Sequence, residues 1–336
     1  LIIKQQRRRI FMDKIKKIGL SALAGTLASL SAQAGEMSVT GSAEVSYTQR
    51  DGDEITGNPI GMNKNIGFAG SGELDNGWTV SVAHNLTDDF GFSSGSLTIG
   101  MGTLGTIIVD QGSGADMGSA LDNVVPTAFE EADAGMATGM VLSGGAVSPS
   151  GSIVYKLPAF GGAQVTAAYN PRSGASNNAD GATSEGSGGR AYDVGVDWSP
   201  EMVPGLRVGG AVGTCENCVA GNKDLDEETW FATYTYGPLS VGYQVADEDS
   251  GTTNYETDVY GVSFNVNDAL SVSYQYGETE GYTGSVTAEF TGVSAAYNIG
   301  PMAIKFTDNS GKNINGITTG TTADDNNREL NLSMSF

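Results

Sequence analysis

Long apolar runs, basic residues and histidine are all scarce in this 336-residue chain. Beyond residue 34, no run reaches the roughly 18 apolar residues that a membrane-spanning helix needs. With 17 Lys and Arg against 39 Asp and Glu, nucleic acid binding is not expected, because phosphate contacts require a basic surface. The only histidine, His84, shares a face with the apolar residues Trp78, Val80 and Val82. A Ser-His-Asp hydrolase needs a nucleophile and an acid beside its imidazole, so we expect no enzymatic activity.

Glycine is abundant instead, with 49 residues. The glycine-rich run at 186–189 has neither the lysine nor the following helix of a phosphate-binding loop. We therefore interpret these glycines as loop residues and expect no bound cofactor.

The N-terminal segment has the pattern of an export signal. Lys14, Lys16 and Lys17 precede an apolar stretch over residues 18–30, and a small-x-small sequence follows at 32–34. We predict a signal peptide over residues 12–34 and a mature chain over residues 35–336. Residues 1–11 fit no export pattern and are taken as an upstream extension of undefined status.

Two cysteines, Cys215 and Cys218, lie three positions apart. An exported chain meets an oxidising environment, which favours a local disulfide that pins a loop. Free thiols and metal binding are the alternatives.

The mature chain alternates apolar and polar residues with a period of two. In the first such segment, Met37, Val39, Val45 and Tyr47 fall on one face, with serine, threonine and glutamate on the other. The same alternation recurs at 78–86, 192–198, 239–245, 270–276 and 329–336. The pattern predicts an all-β protein.

Short and long connections alternate between the predicted strands. The short ones carry turn residues near 75–77, 102–103, 158–162, 199–204, 237–238, 267–268 and 298–301. The long, polar ones lie near 50–63, 88–94, 112–150, 171–190, 215–227, 247–256, 280–286 and 308–327. Together they join sixteen strands, two of which, near 97–101 and 302–307, have weak patterns. An even strand number with long loops at one end is typical of an antiparallel transmembrane β-barrel.

A soluble β-sandwich is the alternative, since it also alternates. Its solvent face normally carries lysine and glutamate, whereas the polar face here is mostly Ser, Thr, Gly, Ala, Asn and Gln. Aromatic residues flank the short turns (Trp78, Trp198, Tyr236) and lie near the long loops (Tyr47, Tyr276). Two aromatic girdles about one bilayer apart favour the barrel.

Three segments resemble the Gram-negative general diffusion porins, particularly the alphaproteobacterial type. They are GEMSVTG at 35–41, LTIGMGTLGTI at 97–107 and LNLSMSF at 330–336. The resemblance implies a homotrimer of sixteen-stranded barrels in the bacterial outer membrane, each with a pore narrowed by an infolded third loop. It also implies that Phe336 belongs to a signal read by the outer-membrane assembly machinery.

The third long connection, residues 112–150, is the longest, and loops of that size are usually functional. Its acidic residues are Asp116, Asp122, Glu130, Glu131 and Asp133, with no Lys or Arg between Lys64 and Lys156. We predict that some of these carboxylates line the pore constriction and favour cations. The alternative is that they are solvated outside the barrel. Pro126 and the following residues to 132 fit a short helix.

In the porin family, basic side chains face the loop acids across the opening. Lys156, Arg207 and Lys305 have lumen-facing positions and are candidates for that role. These bases are few and scattered, and each has an alternative as a rim residue paired with a loop acid.

The other long loops are acidic, notably at 51–54, 224–228, 247–249 and 324–325. Such oxygen ligands are able to bind Ca²⁺ or Mg²⁺, within a subunit or toward lipopolysaccharide, although no defined calcium loop is present. Solvated surface loops are the alternative.

The sequence therefore predicts a passive, cation-preferring outer-membrane channel for small hydrophilic solutes and ions. Two other functions remain open at this point. One is a non-conducting surface β-protein, such as an adhesin, and the other is a substrate-specific channel.

Overall fold

The computed structural model describes most of the predicted mature chain. The described residues are 37–51, 57–142, 145, 147, 150–173, 188–282, 286–320 and 323–336. The predicted extension at 1–11 and signal peptide at 12–34 lie outside them.

Sixteen antiparallel strands make up the described fold. They are β1 (Ser38–Asp51), β2 (Ile60–Glu73), β3 (Thr79–Leu86), β4 (Phe92–Gly100), β5 (Thr106–Gln111), β6 (Ser150–Lys156), β7 (Ala163–Asn170), β8 (Ala191–Trp198), β9 (Leu206–Val219), β10 (Lys223–Tyr236), β11 (Leu239–Asp249), β12 (Asn254–Asn265), β13 (Leu270–Glu280), β14 (Ala288–Ile299), β15 (Met302–Lys312) and β16 (Asp325–Ser335). The sixteen-strand prediction is confirmed, including the two weak strands, which became β4 and β15.

Each strand pairs with its neighbours in sequence, and β1 pairs with β16 to close the barrel. At this seam Val45 lies opposite Leu332, and Tyr47 lies opposite Leu330. Phe336 extends the pairing through two backbone hydrogen bonds to Gly41, of 2.8 and 2.9 Å. Closure leaves no unpaired strand edge, which is the condition for a sheet to cross a bilayer.

The two faces of the sheet differ as the alternation predicted. Outward side chains are apolar and uncovered, for example Val45, Leu332 and Ile304, which are 39–42% exposed. On the inward face Asn331, Thr307 and Ser294 are at most 2% exposed, although they are polar. Apolar residues outside and polar residues inside are the arrangement of a membrane barrel with a wet interior.

The seven short turns lie where the sequence placed them, all at one end of the barrel. Several of the opposite connections are shorter than predicted. The strands continue past the apolar band, so that only residues 220–222 separate β9 from β10 and 250–253 separate β11 from β12. The acidic residues at 224–228 and 247–249, which marked loops in the sequence, lie on strands there, because backbone hydrogen bonds between strands persist where the apolar alternation stops.

Cys215 and Cys218 consequently lie within β9 rather than in a loop. They are bonded to each other, with Cα atoms 5.6 Å apart. The predicted disulfide is present. It lies within a strand and does not pin a loop, because β9 extends to Val219.

Helix is confined to short segments in the described ranges. The one α-helix there, α1, spans Met117–Ala120 in the long connection after β5. None of the helices in the described ranges has the length and apolar character that crossing a bilayer requires.

The barrel seam generates a prediction about Gly41. A Cβ atom at this position would lie 2.7 Å from two ring carbons of Phe336. We expect Gly41→Val to displace the ring and destabilise the barrel by about 1–3 kcal/mol, the usual cost of overpacking. The measurement is the temperature at which the barrel loses its folded mobility in SDS electrophoresis.

Gly57→Val is the control, since a Cβ atom at Gly57 meets nothing within 4 Å. Equal thermal stability of the two variants would contradict a role for close packing at the seam.

Candidate functional site

The connection after β5 comprises residues 112–149, and we call it the constriction loop; its described residues run inside the barrel. Its inward turn is set by Asp110, a fully buried residue of β5. The Asp110 carboxylate accepts the backbone N–H groups of Ser113 and Ala115 at 2.6 and 2.8 Å. These bonds hold the first residues of the loop against the wall.

Asp116 begins α1 as its N-cap. Its carboxylate accepts the Ser119 backbone N–H at 2.9 Å and the Ser119 hydroxyl at 3.0 Å. Asp116 is only 1% exposed. The structure therefore does not place Asp116 at the pore lining, as the sequence predicted, because its carboxylate oxygens are hydrogen-bonded within the first turn of α1.

The loop then follows the inner wall from β8 toward β16. Met117 and Leu121 pack against Ala211 of β9 and Phe231 of β10. The next anchor is Gln244 of β11, which accepts the Val124 N–H at 3.0 Å and donates to the Leu121 carbonyl at 2.7 Å. The fully buried Gln244 side chain thus provides the loop with hydrogen bonds that a neighbouring backbone segment would provide in a sheet.

Two serines of neighbouring strands hold the tip of the loop. Ser273 of β13 accepts the Ala128 N–H at 2.9 Å, and Ser294 of β14 accepts the Phe129 N–H at 3.0 Å. The two hydroxyls also lie 2.6 Å apart. The tip is thereby bonded to the wall by its backbone.

Amides of β13, β15 and β16 hold the following residues. Gln275 accepts the Ala132 N–H at 2.6 Å, and Asn309 donates to the Glu131 carbonyl at 2.7 Å. Asn327 donates to the Ala134 carbonyl at 3.0 Å. At Ala134 the constriction loop has reached β16, which pairs with β1 at the seam.

The loop returns along the same wall. Met140 approaches Gly277 of β13, where an added Cβ atom would lie 2.2 Å from its sulfur. Leu142 packs with Val125, Ala246 and Val259, which brings the two arms of the loop together on β11 and β12. The infolded third loop implied by the sequence is therefore present in this structure.

The helix expected from Pro126 to residue 132 is absent. Residues 128–130 form bends instead. Ser294 and Gln275 of the wall accept the N–H groups of Phe129 and Ala132, which a helix starting at Pro126 would bond to its own carbonyls. The expectation was therefore wrong for a tertiary reason.

Three acids of the loop retain access to the lumen. Asp122 is exposed, and Glu130 and Glu131 are half-buried. Burial is the main cause that raises the pKa of each, to about 7 for Glu131, whose pKa neighbouring acids also raise. Asp133 lies within the loop, where its carboxylate accepts the Met140 N–H at 2.7 Å. Burial also raises the Asp133 pKa.

Two wall carboxylates that the sequence analysis did not select lie near Glu130. Glu329 of β16 and Glu44 of β1 both raise the pKa of Glu130, whereas Lys305 lowers it. Both occupy inward positions, because Glu329 lies opposite the buried Thr307 and Glu44 shares the face of Ser46, opposite the buried Asn331. The sequence did contain a signal for Glu44, because this residue lies on the polar face of the first alternating segment and that face is the inward one.

The predicted bases are dispersed. The Arg207 guanidinium binds Asp197 through contacts of 2.7–3.0 Å and lies 4.8 Å from the Phe231 ring centroid. Lys156 ends β6, next to a short turn. Lys305 of β15 lies against the loop itself, with Nζ 4.8 Å from the Phe129 ring centroid. The structure does not bring the three together on the wall opposite the loop.

The wall that the constriction loop leaves open belongs to β1–β4. Its inward positions carry mainly small neutral polar residues, namely Ser42, Ser46, Thr48, Asn63, Asn65, Ser81, Asn85, Ser96 and Thr98. Arg50 has the same orientation and is engaged by a partner. This arrangement gives a wet passage between an acidic loop and a wall that is mainly neutral, with Glu44 and Arg50 as charged residues on it.

Comparison with known proteins agrees with this architecture. The family model described as "Gram-negative porin" matches residues 19–308. This chain belongs to that family. No curated protein sequence matches it.

Solved structures of porins share its fold. An anion-selective porin from Comamonas acidovorans superposes with a TM-score of 0.62 at 15% identity, covering 90% of this chain and all of the other. A porin refined at 1.8 Å resolution gives a TM-score of 0.66 at 15% identity, with the same coverage of both chains. A loop L8 deletion mutant of OmpT from Vibrio cholerae gives 0.59 at 14% identity, covering 90% and 99%. Such identities establish the fold alone.

The porin assignment places the protein in the bacterial outer membrane as a β-barrel channel. Divalent cation binding, lipopolysaccharide contact and the role of Phe336 in assembly stay predictions. Within the described part of the chain, no three His, Cys, Asp or Glu side chains are grouped closely enough to hold a metal ion. Asp53 and Glu54, two of the acids proposed for metal binding, lie outside that part.

The serine anchors generate a prediction about the loop tip. We expect the double variant Ser273→Ala, Ser294→Ala to loosen the tip, because the Ala128 and Phe129 amides lose their acceptors. A buried amide without a partner costs about 1–3 kcal/mol. The measurement is single-channel current noise in a planar bilayer, which should increase.

Ser271→Ala is the control, as Ser271 lies on the same face of β13 without a hydrogen bond to the described residues of the loop. Noise equal to that of this control would mean that the serines do not hold the tip.

Proposed function

We propose that this porin forms a water-filled, cation-preferring channel for passive diffusion of small hydrophilic solutes and ions. The observation that carries the proposal is the excess of carboxylates at the constriction loop. Asp122, Glu130 and Glu131 come from the loop, and Glu44 and Glu329 come from the wall near it. A patch of carboxylates lowers the barrier for cations and raises it for anions.

The bases do not balance this charge. Arg207 is neutralised by Asp197 in a bidentate ion pair. Lys156 lies at the turn end of its strand, away from the loop tip. Lys305 is the one predicted base at the tip, where its charge acts on Glu130 together with those of Glu44 and Glu329. The Comamonas porin is described as anion-selective, but at 15% identity its selectivity does not transfer, so the charges of this chain must decide.

A homotrimer is the proposed assembly. His84 of β3 faces outward, with its ring 5.4 Å from that of Phe92. A polar ring at membrane depth is unfavourable against lipid tails. Covering by a second subunit removes this cost, and the neighbouring outward glycines Gly70 and Gly72 allow close approach of another chain.

The deciding experiment is reconstitution of the porin in a planar bilayer with a KCl gradient. We expect discrete conductance steps and a reversal potential of the sign that cation preference gives. Absence of steps would favour the non-conducting surface protein. A reversal potential of the opposite sign would reject the cation preference and leave the channel intact.

Glu130→Gln tests whether the loop carries the preference. Removing one charge close to the permeating ion should lower the cation-to-anion permeability ratio about two- to five-fold, equivalent to roughly 0.5–1 kcal/mol of ion interaction. Asp268→Asn removes the same charge from a short turn at the barrel end and should leave the ratio unchanged. Equal effects of the two substitutions would show that only net charge matters.

The preference should also depend on pH. Because the Glu131 pKa is raised to about 7, this carboxyl becomes neutral as the pH falls through 7, and the constriction loses a negative charge. Exposed carboxyls titrate near pH 4. We therefore expect the permeability ratio to fall between pH 8 and pH 6, and Glu131→Gln to abolish this step. A flat ratio over that interval in the unsubstituted porin would contradict the proposal.

A further inference from the structure

Lys305 is held at the constriction by an aromatic ring rather than by a carboxylate. Its Nζ atom lies 4.8 Å from the centroid of Phe129, within the range of a cation–π interaction. Among the ion pairs of the described residues, none involves Lys305. The ammonium is therefore attracted to the loop tip by the Phe129 ring.

The position of that ring is set by the barrel wall. The backbone N–H of Phe129 donates to Ser294, which lies opposite Thr307 on β15, two residues from Lys305. The neighbouring Ala128 is bonded to Ser273. Ring and ammonium are thus brought together by two adjacent strands, and the ring stays in place as long as the loop tip does.

The carboxylates around this contact lack an ion-pair partner in the described part of the chain. Glu130 is next to Phe129, and Glu44 and Glu329 are near enough to raise its pKa. Lysine has a long flexible side chain, and an ammonium released from the ring has carboxylates within its surroundings to pair with. Such pairing would neutralise charge that otherwise attracts permeating cations.

We infer that Phe129 is a selectivity-determining residue of this porin. Its ring restrains the Lys305 ammonium against the loop and so leaves the carboxylates of the constriction available to cations in transit. The inference rests on the proposed function, since it assigns the control of ion preference to a residue without charge. It also accounts for how a lysine at the loop tip is compatible with the proposed cation preference.

The test compares Phe129→Leu with Phe129→Tyr in planar bilayers under a KCl gradient. Leucine keeps an apolar side chain of similar size without a π face, whereas tyrosine keeps the ring. We expect Phe129→Leu to lower the cation-to-anion permeability ratio about two- to five-fold, the population shift that an exposed cation–π contact supports. Phe129→Tyr should stay close to the unsubstituted porin.

Lys305→Gln provides the second background. Because the effect of Phe129 acts through the ammonium, adding Phe129→Leu to Lys305→Gln should leave the ratio of the single variant unchanged. A change of the same size in both backgrounds would overturn the inference, since it would show that the ring acts through its size alone. A ratio in Phe129→Leu equal to that of the unsubstituted porin would overturn it too.

Heat-dependent mobility in SDS electrophoresis verifies that each variant has folded, and Phe129→Met replaces the leucine variant if that one does not fold. The readout is a shift relative to the unsubstituted porin, so it is measurable whichever ion that porin prefers. Anion preference of the unsubstituted porin would reject the proposed function. Only the absence of a Lys305-dependent shift rejects the role of Phe129.

Discussion

The structure depends on one constraint, which is that no backbone N–H or C=O group is left unpaired in lipid. A sheet satisfies it only by closing on itself, and here closure is the pairing of β1 with β16, extended by Phe336 against Gly41. Closure divides the side chains into an apolar outer set and a polar inner set. The inner set then surrounds a space that is too wide for side chains to fill, and the constriction loop enters it.

The polar inner wall therefore has two uses. On β1–β4 its small neutral side chains face the passage. On the strands from β11 to β16, Gln244, Ser273, Ser294, Gln275 and Asn309 supply hydrogen bonds to a loop that has almost no regular secondary structure. Buried polar groups are stable only when they are hydrogen-bonded, and each of these side chains pairs with a backbone group of the loop.

Charge at the constriction follows from this attachment. The wall bonds backbone groups between residues 128 and 134, and the side chains of Glu130 and Glu131 stay partly exposed. Partial burial makes these carboxyls weaker acids than their exposed counterparts. Lys305 faces the same region, but an aromatic ring of the loop restrains it. The charge at the loop tip therefore depends on how these carboxylates and the Lys305 ammonium are arranged, and the net charge of the whole chain does not reveal that arrangement.

The sequence by itself determined the barrel, its sixteen strands, the orientation of their faces and the position of the turns, because alternation with a period of two is a local property of neighbouring residues. Resemblance identified the loop that enters the pore. Only the tertiary structure decided the path of that loop, the bends at 128–130 and the contact of Lys305 with Phe129. These depend on partners more than a hundred residues apart, such as Gln244 with Val124 and Ser273 with Ala128, and no local pattern encodes such distances.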